Sequence, residues 1–507
     1  MDFGWHSLLP ALVTIVIALS VRRISLALLA GVLAGIGVFC YHTDTSFWVK
    51  GYAYVVELVT DFERIQMALF VMMVGGMIEV LNRTGAYHAF SDRVLRVINT
   101  PRKARLTSWG FSMSLFFDDY ANVLVSGASL RPVNERNGVK TVLLAYLIDI
   151  IATVASLMLL STWAAFEMSL MGEAAKGIQA DVSYSHLFIQ ATPYHFYTLL
   201  ALLLAFLVAF TGRWFGEHFA GDESLGDVDD VVVPKVKGVK NVIVPIATLL
   251  IFAFFGIMVT GYYTCLQDDS IPLMIVNVFG EAPSVEVLLM ASTLALLVAL
   301  FMSRKTASPL NLIKDALIGF SGMIEIGLVI LLAGALAAVS TELNTGLYIA
   351  SVLNHLLSPA LLPAAIYVTA VLITIATGFS WSSMAIVMPV AYAIAHALTP
   401  DYEYLLPIVS AATICGAITG AQIIPYSDKA IMTAGACRIT PFLHIKTQFL
   451  QVLFVAVITI VGYLILGYIG SLLLSYGVML LMLGAGFYVY TLTPSPNKTQ
   501  SSPKRET

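Results

Sequence analysis

Apolar runs of about twenty residues recur along the chain, separated by short polar and basic connections. A helical run of that length crosses roughly 30 Å of hydrocarbon. The pattern places spans at about 7–21, 24–42, 65–82, 141–170, 196–213, 241–263, 285–302, 319–340, 404–436, 447–468 and 471–491. Neither period-two alternation nor the turn spacing of a membrane barrel is present, so helices are expected to satisfy the backbone in lipid. Two further apolar stretches, 102–130 and 360–398, stand apart from this series. The expected fold is an all-α polytopic membrane protein, with about 11 transmembrane helices plus two re-entrant hairpins in two inverted-topology repeats.

The positive charges orient these spans. With the N-terminus outside, all the 27 Lys and Arg except Lys50, Arg64, Lys176 and the intramembrane Lys429 fall on one face, which is then cytoplasmic. The assignment works only if each of the two extra stretches enters and leaves on one face. The first has basic flanks and enters from the cytoplasm; the second, followed by Asp401 and Glu403, enters from outside. The units expected are N-terminal helices 1–64, a first repeat 65–213, a cytoplasmic linker 214–240, connecting helices 241–318, a second repeat 319–468, and a last helix with cytoplasmic tail 469–507. The linker carries Glu217, Asp222, Glu223, Asp227, Asp229 and Asp230, and the tail is expected to be disordered. Met1 to Ser20 lacks a basic n-region and is read as a retained helix.

Composition agrees with this pattern and removes other classes. At 59% hydrophobic, 11% charged and a mean hydropathy of +0.87, the chain is too apolar for a soluble globular protein. A net charge of -4 says little about partners, and no nucleic-acid partner is expected. Cys40, Cys265, Cys415 and Cys437 are scattered, without metal spacing, and read as packing residues. No phosphate loop, His/Cys cluster or nucleophile elbow appears, so no enzyme and no cofactor is expected.

The chemistry concentrates in a few intramembrane polar positions. Asp118, Asp119 and Asn122 lie among Phe116, Phe117, Val123 and Leu124. A charge there costs about 2.5–3.5 kcal/mol per Asp even on insertion scales, which marks an ion or substrate site. On a regular helix the two carboxylates would diverge by about 100 degrees, but at a hairpin tip they can converge. A close pair binds a hard cation through oxygen, and mutual repulsion lets a proton replace that cation. Asp149 is an acid within a long span, as is Glu167, while Glu79 and Glu325 occupy earlier spans. Lys429, beside Asp428, lies too far from the cytoplasmic end for comfortable snorkelling, and its ammonium can stand where a bound cation would or exchange protons itself.

An internal recurrence links these positions. Thr84-Gly85-Ala86-Tyr87 returns as Thr345-Gly346-Leu347-Tyr348, and the same offset from each reaches Asp118 and Phe379. The tip at Asp118 to Asn122 thus corresponds to Phe379 to Ser383, with Ser380, Ser382 and Ser383 as its hydroxyls. Farther on, Ser161-Thr162-Trp163 corresponds to Ser427-Asp428-Lys429, within spans expected to be interrupted; Gly416, Gly420 and Pro425 weaken the second. Hairpin tips and broken helices free backbone groups at the midplane, where transporters hold dehydrated ions.

The run Phe116-Phe117-Asp118-Asp119-Tyr120-Ala121-Asn122, followed by Gly127 and Arg131-Pro132, resembles the NhaC-type Na+/H+ antiporter family. Leu144-Ala145-Tyr146 to Asp149, Ser161-Thr162-Trp163 and Phe166-Glu167 resemble it in order and spacing. Gly378 to Ala385 is similar to the family's Gly-x-Ser-Trp-Gly-Thr-Met-Ala segment, with Ser382 and Ser383 replacing Gly and Thr. In the second half Pro425, Ser427 and Asp428 match a family motif whose acidic residue, His and Thr pair are absent, Lys429 standing in place of a Thr. The resemblance implies the ion transporter superfamily fold, with a scaffold and a moving transport domain, and includes relatives that carry organic acids or amino acids. It implies a cation/proton antiporter of the cell (inner) membrane, with Na+ and H+ as coupling ions and Na+ at Asp118, Asp119 and Asn122. The binding set expected is Asp118, Asp119, Asn122, Asp149, Ser161, Thr162, Ser380, Ser382, Ser383, Ser427, Asp428 and Lys429. Expected partners are a small ion or small-molecule substrate and the lipid bilayer, with a homodimer left open. The rival reading is carriage of a small organic anion or amino acid, with Lys429 replacing one cation.

Overall fold

The computed structural model describes residues 3–21, 24–85, 98–180, 182–219, 240–267, 278, 282–345, 348, 358–399, 401–425 and 427–492. The acidic part of the linker, the C-terminal tail, half of each recurring Thr-Gly phrase (Ala86 and Tyr87, Gly346 and Leu347), and the side chains of Glu325, Ser382 and Asp428 lie outside the described residues.

The described residues are helical, without a strand. The chain opens with α1 (Leu9–Val21), α2 (Ile24–Thr43), α3 (Phe47–Thr60) and α4 (Phe62–Arg83). Then come α5 (Pro101–Ser114), α6 (Asp119–Arg136), α7 (Thr141–Ala152), α8 (Thr162–Gly177), α9 (Tyr184–Ala191) and α10 (Phe196–Thr211). The central elements are α11 (Lys240–Gln267), α12 (Ser284–Ser303), α13 (Pro309–Gly322) and α14 (Ile324–Glu342). The last are α15 (Leu362–Thr377), α16 (Ser380–Leu398), α17 (Leu405–Ala421), α18 (Asp428–Cys437), α19 (Pro441–Ile469) and α20 (Leu472–Leu492).

Five described helices are long and apolar enough to cross a membrane, and two sharply bent helix pairs raise this to seven. The coarse expectation of a multi-pass helical protein is met with a smaller number of uninterrupted spans than the apolar runs suggest. One bent pair is the expected span at 141–170, which turns by 50° between α7 with its following 3-10 turn and α8. The apolar helices α15, α16 and α17 are individually short, because turns and caps subdivide the runs. Among the helices that no apolar run announced, α3 and α13 are amphipathic, and Trp48, Tyr52 and Val55 of α3 stay exposed.

Burial sorts the helices into an interior and a rim. Every residue of α17, and of α7 from Val142, is buried. Helices apolar all round belong in such interiors. By contrast Ile251, Phe252 and Phe255 of α11, and Leu473, Leu481 and Tyr488 of α20, remain exposed, as lipid-facing surfaces require. Gly416 and Gly420 do not break α17. They let it approach α15 closely: a Cβ on Gly416 would sit 2.4 Å from the Tyr367 carbonyl oxygen. The interruption falls after Ala421, in the segment that contains Pro425.

Helices α5 and α6 form an antiparallel hairpin. Asn122 Nδ2 donates to the Ser112 carbonyl (2.7 Å), Ser112 Oγ to Ser126 Oγ (3.0 Å) and Asn134 Nδ2 to Ser108 Oγ (2.8 Å), a ladder whose partners diverge in sequence as it leaves the tip. Helices α15 and α16 pack together beyond Gly378, which takes the left-handed conformation at φ 81°. Each hairpin's second arm meets a helix from the other half of the chain: α6 lies on α18, and α16 lies on α8.

Candidate functional site

The site is assembled at two helix interruptions. After α7 the chain makes a 3-10 turn at Thr153–Leu157 and restarts at α8. Ser161 caps that restart: its hydroxyl accepts from Ala164 N (2.9 Å) and donates to the Ala155 carbonyl (2.6 Å). After α17 the same connections return. Ser427 Oγ accepts from Ala430 N (3.2 Å) and donates to the Ala421 carbonyl (2.8 Å). Both serine hydroxyls are therefore engaged in capping.

The first hairpin tip is fastened to the first restart. Thr162 N donates to the Phe117 carbonyl (2.9 Å), and Thr162 Oγ1 donates to Asp118 Oδ2 (2.8 Å). Asp118 directly precedes α6, and Asp119 occupies its first turn. The positive end of the helix dipole favours carboxylates there. Both acids are buried, and Asp119 Oδ1 has no hydrogen-bond partner among the described residues. Asn122 braces the hairpin: its amide donates to the Ser112 and Leu115 carbonyls (2.7 and 3.4 Å), and its Oδ1 accepts from Ser126 (3.2 Å).

The second restart presents the opposite charge. Lys429 is buried in the first turn of α18, where the helix dipole disfavours a cation. Asp149 of α7 compensates, with Oδ1 3.6 Å from the Lys429 ammonium. Asp119 of α6 also lies within electrostatic reach of the Lys429 ammonium. The side chain of the neighbouring Asp428 lies outside the described residues.

Asp149 is further held by residues that the sequence reading did not select. Gln448 Nε2 of α19 donates to Asp149 Oδ2 (2.8 Å) and to the Gln422 carbonyl (2.7 Å). Gln422 Nε2 donates to the Asp149 carbonyl (3.3 Å), and its Oε1 accepts from the Tyr197 hydroxyl (2.5 Å). His444 Nε2 stands 3.4 Å from Asp149 Oδ2, outside hydrogen-bond geometry. A signal was available: His444, Gln448 and Gln451 recur at spacings of one helical turn around the start of an otherwise apolar span.

At the second hairpin tip Ser380 is buried, and Ser383 Oγ donates to the Ala370 carbonyl (2.9 Å). Trp381 joins this tip to α8, lying 5.6 Å from Trp163 and 4.3 Å from Phe166 between ring centroids. The arrangement thus brings Asp118, Asp119, Asp149, Thr162 and Lys429 into one connected set, and uses Asn122, Ser161, Ser383 and Ser427 as braces. No group of three or more His, Cys, Asp and Glu with metal-binding geometry occurs among the described residues. Buried acids around one ammonium can hold a monovalent cation or a proton in turn.

Comparison with known proteins follows this geometry. The model of the Na+/H+ antiporter family matches residues 154–468, more than half of the chain. The chain belongs to that family. The matched stretch contains both serine caps, Thr162 and Lys429, and begins beyond Asp118, Asp119 and Asp149. An uncharacterized protein of Haemophilus influenzae is 26% identical over 485 residues, 91% of each chain. Among solved structures, the Neisseria gonorrhoeae MtrF, described with a class of antimetabolite efflux pumps, matches at a TM-score of 0.56 with 14% identity, over 83% of this chain and 85% of its own. The Alcanivorax borkumensis YdaH transporter also matches at 0.56, with 15% identity over 89% and 91% of the two chains. This antiporter-family member is therefore a multi-pass membrane transporter, and its family and structural relatives are transporters, not enzymes.

Proposed function

We propose that the protein is a secondary active antiporter of the NhaC-like type, exchanging a monovalent cation, sodium first, for protons across the cell (inner) membrane. The observation that carries this reading is the placing of Asp118 and Asp119 at a buried helix start, beside a restart whose Lys429 ammonium already pairs with Asp149. Asp118 and Asp119 receive the cation with Thr162 alongside, and release it as protons arrive. Lys429, tethered to Asp149, supplies a fixed positive charge that keeps a second cation out and lowers the energy of the acids when the cation leaves.

Alternating access then follows from two inverted-topology repeats. This is supported by the identical capping bonds at Ser161 and Ser427 and by the reciprocal packing of each hairpin arm on the other half's restarted helix. The N-terminus is outside and the C-terminus cytoplasmic, on the strength of the basic-residue asymmetry.

A second reading is carriage of a small organic anion or amino acid, with Lys429 in place of one coupling cation. It is favoured by the buried ammonium and by the antimetabolite efflux described for MtrF. Proteoliposomes separate the two. A sodium gradient that drives proton movement without organic substrate supports the first; no such movement, alongside uptake of a carboxylate, supports the second.

A further inference from the structure

We propose that Glu167 is a second proton-binding site, set apart from the Asp118, Asp119, Asp149 and Lys429 group and feeding it with protons. This deepens the cation/proton reading above and rests on it for the direction of the transfer.

Glu167 lies on α8 five residues beyond Thr162, roughly 7.5 Å along the helix axis. Its side chain is fully buried, and neither carboxyl oxygen has a hydrogen-bond partner among the described residues. Helices α4, α9, α14 and α16 pack around α8. Their ionisable groups include Glu79 and Arg83 on α4, Tyr184 and His186 on α9, Glu342 on α14, and Tyr392 and His396 on α16. None of these, nor Glu173 and Lys176 on α8 itself, is hydrogen-bonded to Glu167. Every other buried acid of the site has a cation or a donor at hand. A bare carboxylate without water, donor or counter-ion costs several kcal/mol, whereas the neutral acid costs far less. A structural role would be met as well by Gln or Leu, so what the carboxyl group uniquely provides is a proton that can leave and return.

The position suits that use. Trp163, one turn earlier on α8, lies near Asp119. Met168, the next residue along α8, forms part of the wall of a cavity of about 420 Å³ that also bears Gln66, Ser183, Tyr184, Ser185 and Glu286. Glu167 thus occupies the stretch of α8 between a polar cavity and the acidic hairpin tip. In the step proposed, the Glu167 O–H bond breaks as an O–H bond forms on the Asp119 carboxylate after the cation departs. A hydronium ion entering through the cavity then gives a proton to Glu167 and is left as water, so charge and atoms balance.

Infrared spectroscopy on the full-length protein in lipid at neutral pH reads the site directly. The wild type is expected to show a protonated carboxylic acid band that Glu167→Gln removes and Glu167→Asp retains; an unchanged band in Glu167→Gln overturns the proposal. In proteoliposomes Glu167→Gln is expected to keep sodium/sodium exchange, which also certifies its fold, and to lose sodium-driven proton movement, with Glu167→Asp restoring it. Undiminished proton movement in Glu167→Gln overturns the relay. A wild type that moves no protons with sodium, yet carries the Glu167 band, contradicts the cation/proton reading while upholding the proton site.

Discussion

In the first half of the chain the hairpin arm starts at Asp119 and is tied back by Asn122, and the tip just before it is bonded to the helix restarted at Ser161 and Thr162. In the second half the arm starts at Ser380, is tied back by Ser383, and its companion helix restarts at Ser427, Asp428 and Lys429. The two serine caps make the same bonds and each arm is tied back to its hairpin partner, while the chemistry between them differs: acids at one tip and hydroxyls at the other, a threonine at one restart and a lysine at the other. Capping and tie-back bonds use neutral groups that any midplane break needs. Between these braces, charge appears at the positions proposed above to handle cargo and protons. The two halves therefore separate what holds the backbone open from what binds.

The largest way to break this comparison is to remove one side of the buried ion pair. Asp149→Asn or Lys429→Met leaves an uncompensated charge and is expected to lower stability by about 3–5 kcal/mol. Thermal unfolding of the purified variants measures it, and the double variant is expected to regain most of the loss. Thr162→Val is next: it deletes the donor to Asp118 and is expected to remove about 1.5–3 kcal/mol and weaken sodium activation in a dose-response assay. Gly127→Ala tests the contact between halves. Its Cβ would lie 2.5 Å from Ala436 Cβ where α6 crosses α18, and a stability loss of about 1–3 kcal/mol with slowed transport is expected. The smallest effects sharpen the likeness. Ser161→Ala and Ser427→Ala are each expected to lower stability by about 0.5–2 kcal/mol and by similar amounts, because the two caps make the same bonds.

Much of the scaffold was legible because it is local. Apolar run length located most helices, and the offset from the recurring Thr-Gly phrase placed Asp118 opposite Phe379, the residues that precede α6 and α16. Two kinds of feature escaped. Amphipathic helices such as α3 and α13 carry too little continuous apolar length to register as spans. The glycines of α17 were read as helix breakers, yet their effect depends on a partner helix: with α15 alongside, they permit close packing. The candidate acids and Lys429 were visible as charges in oil, since the energetic penalty marks them without any tertiary information. That Lys429 faces Asp149, and that Gln422, Gln448 and Tyr197 complete the surroundings, is a matter of packing between α7, α10, α18 and α19, which one-dimensional spacing does not encode.

The most direct test loads the purified protein into vesicles with a pH-sensitive dye inside, imposes a sodium gradient, and compares wild type with Asp119→Asn. The account predicts sodium-driven proton movement in the wild type and none in the variant, with both proteins equally folded. Proton movement that survives Asp119→Asn, or its absence from a wild type that accumulates an organic carboxylate, would contradict it.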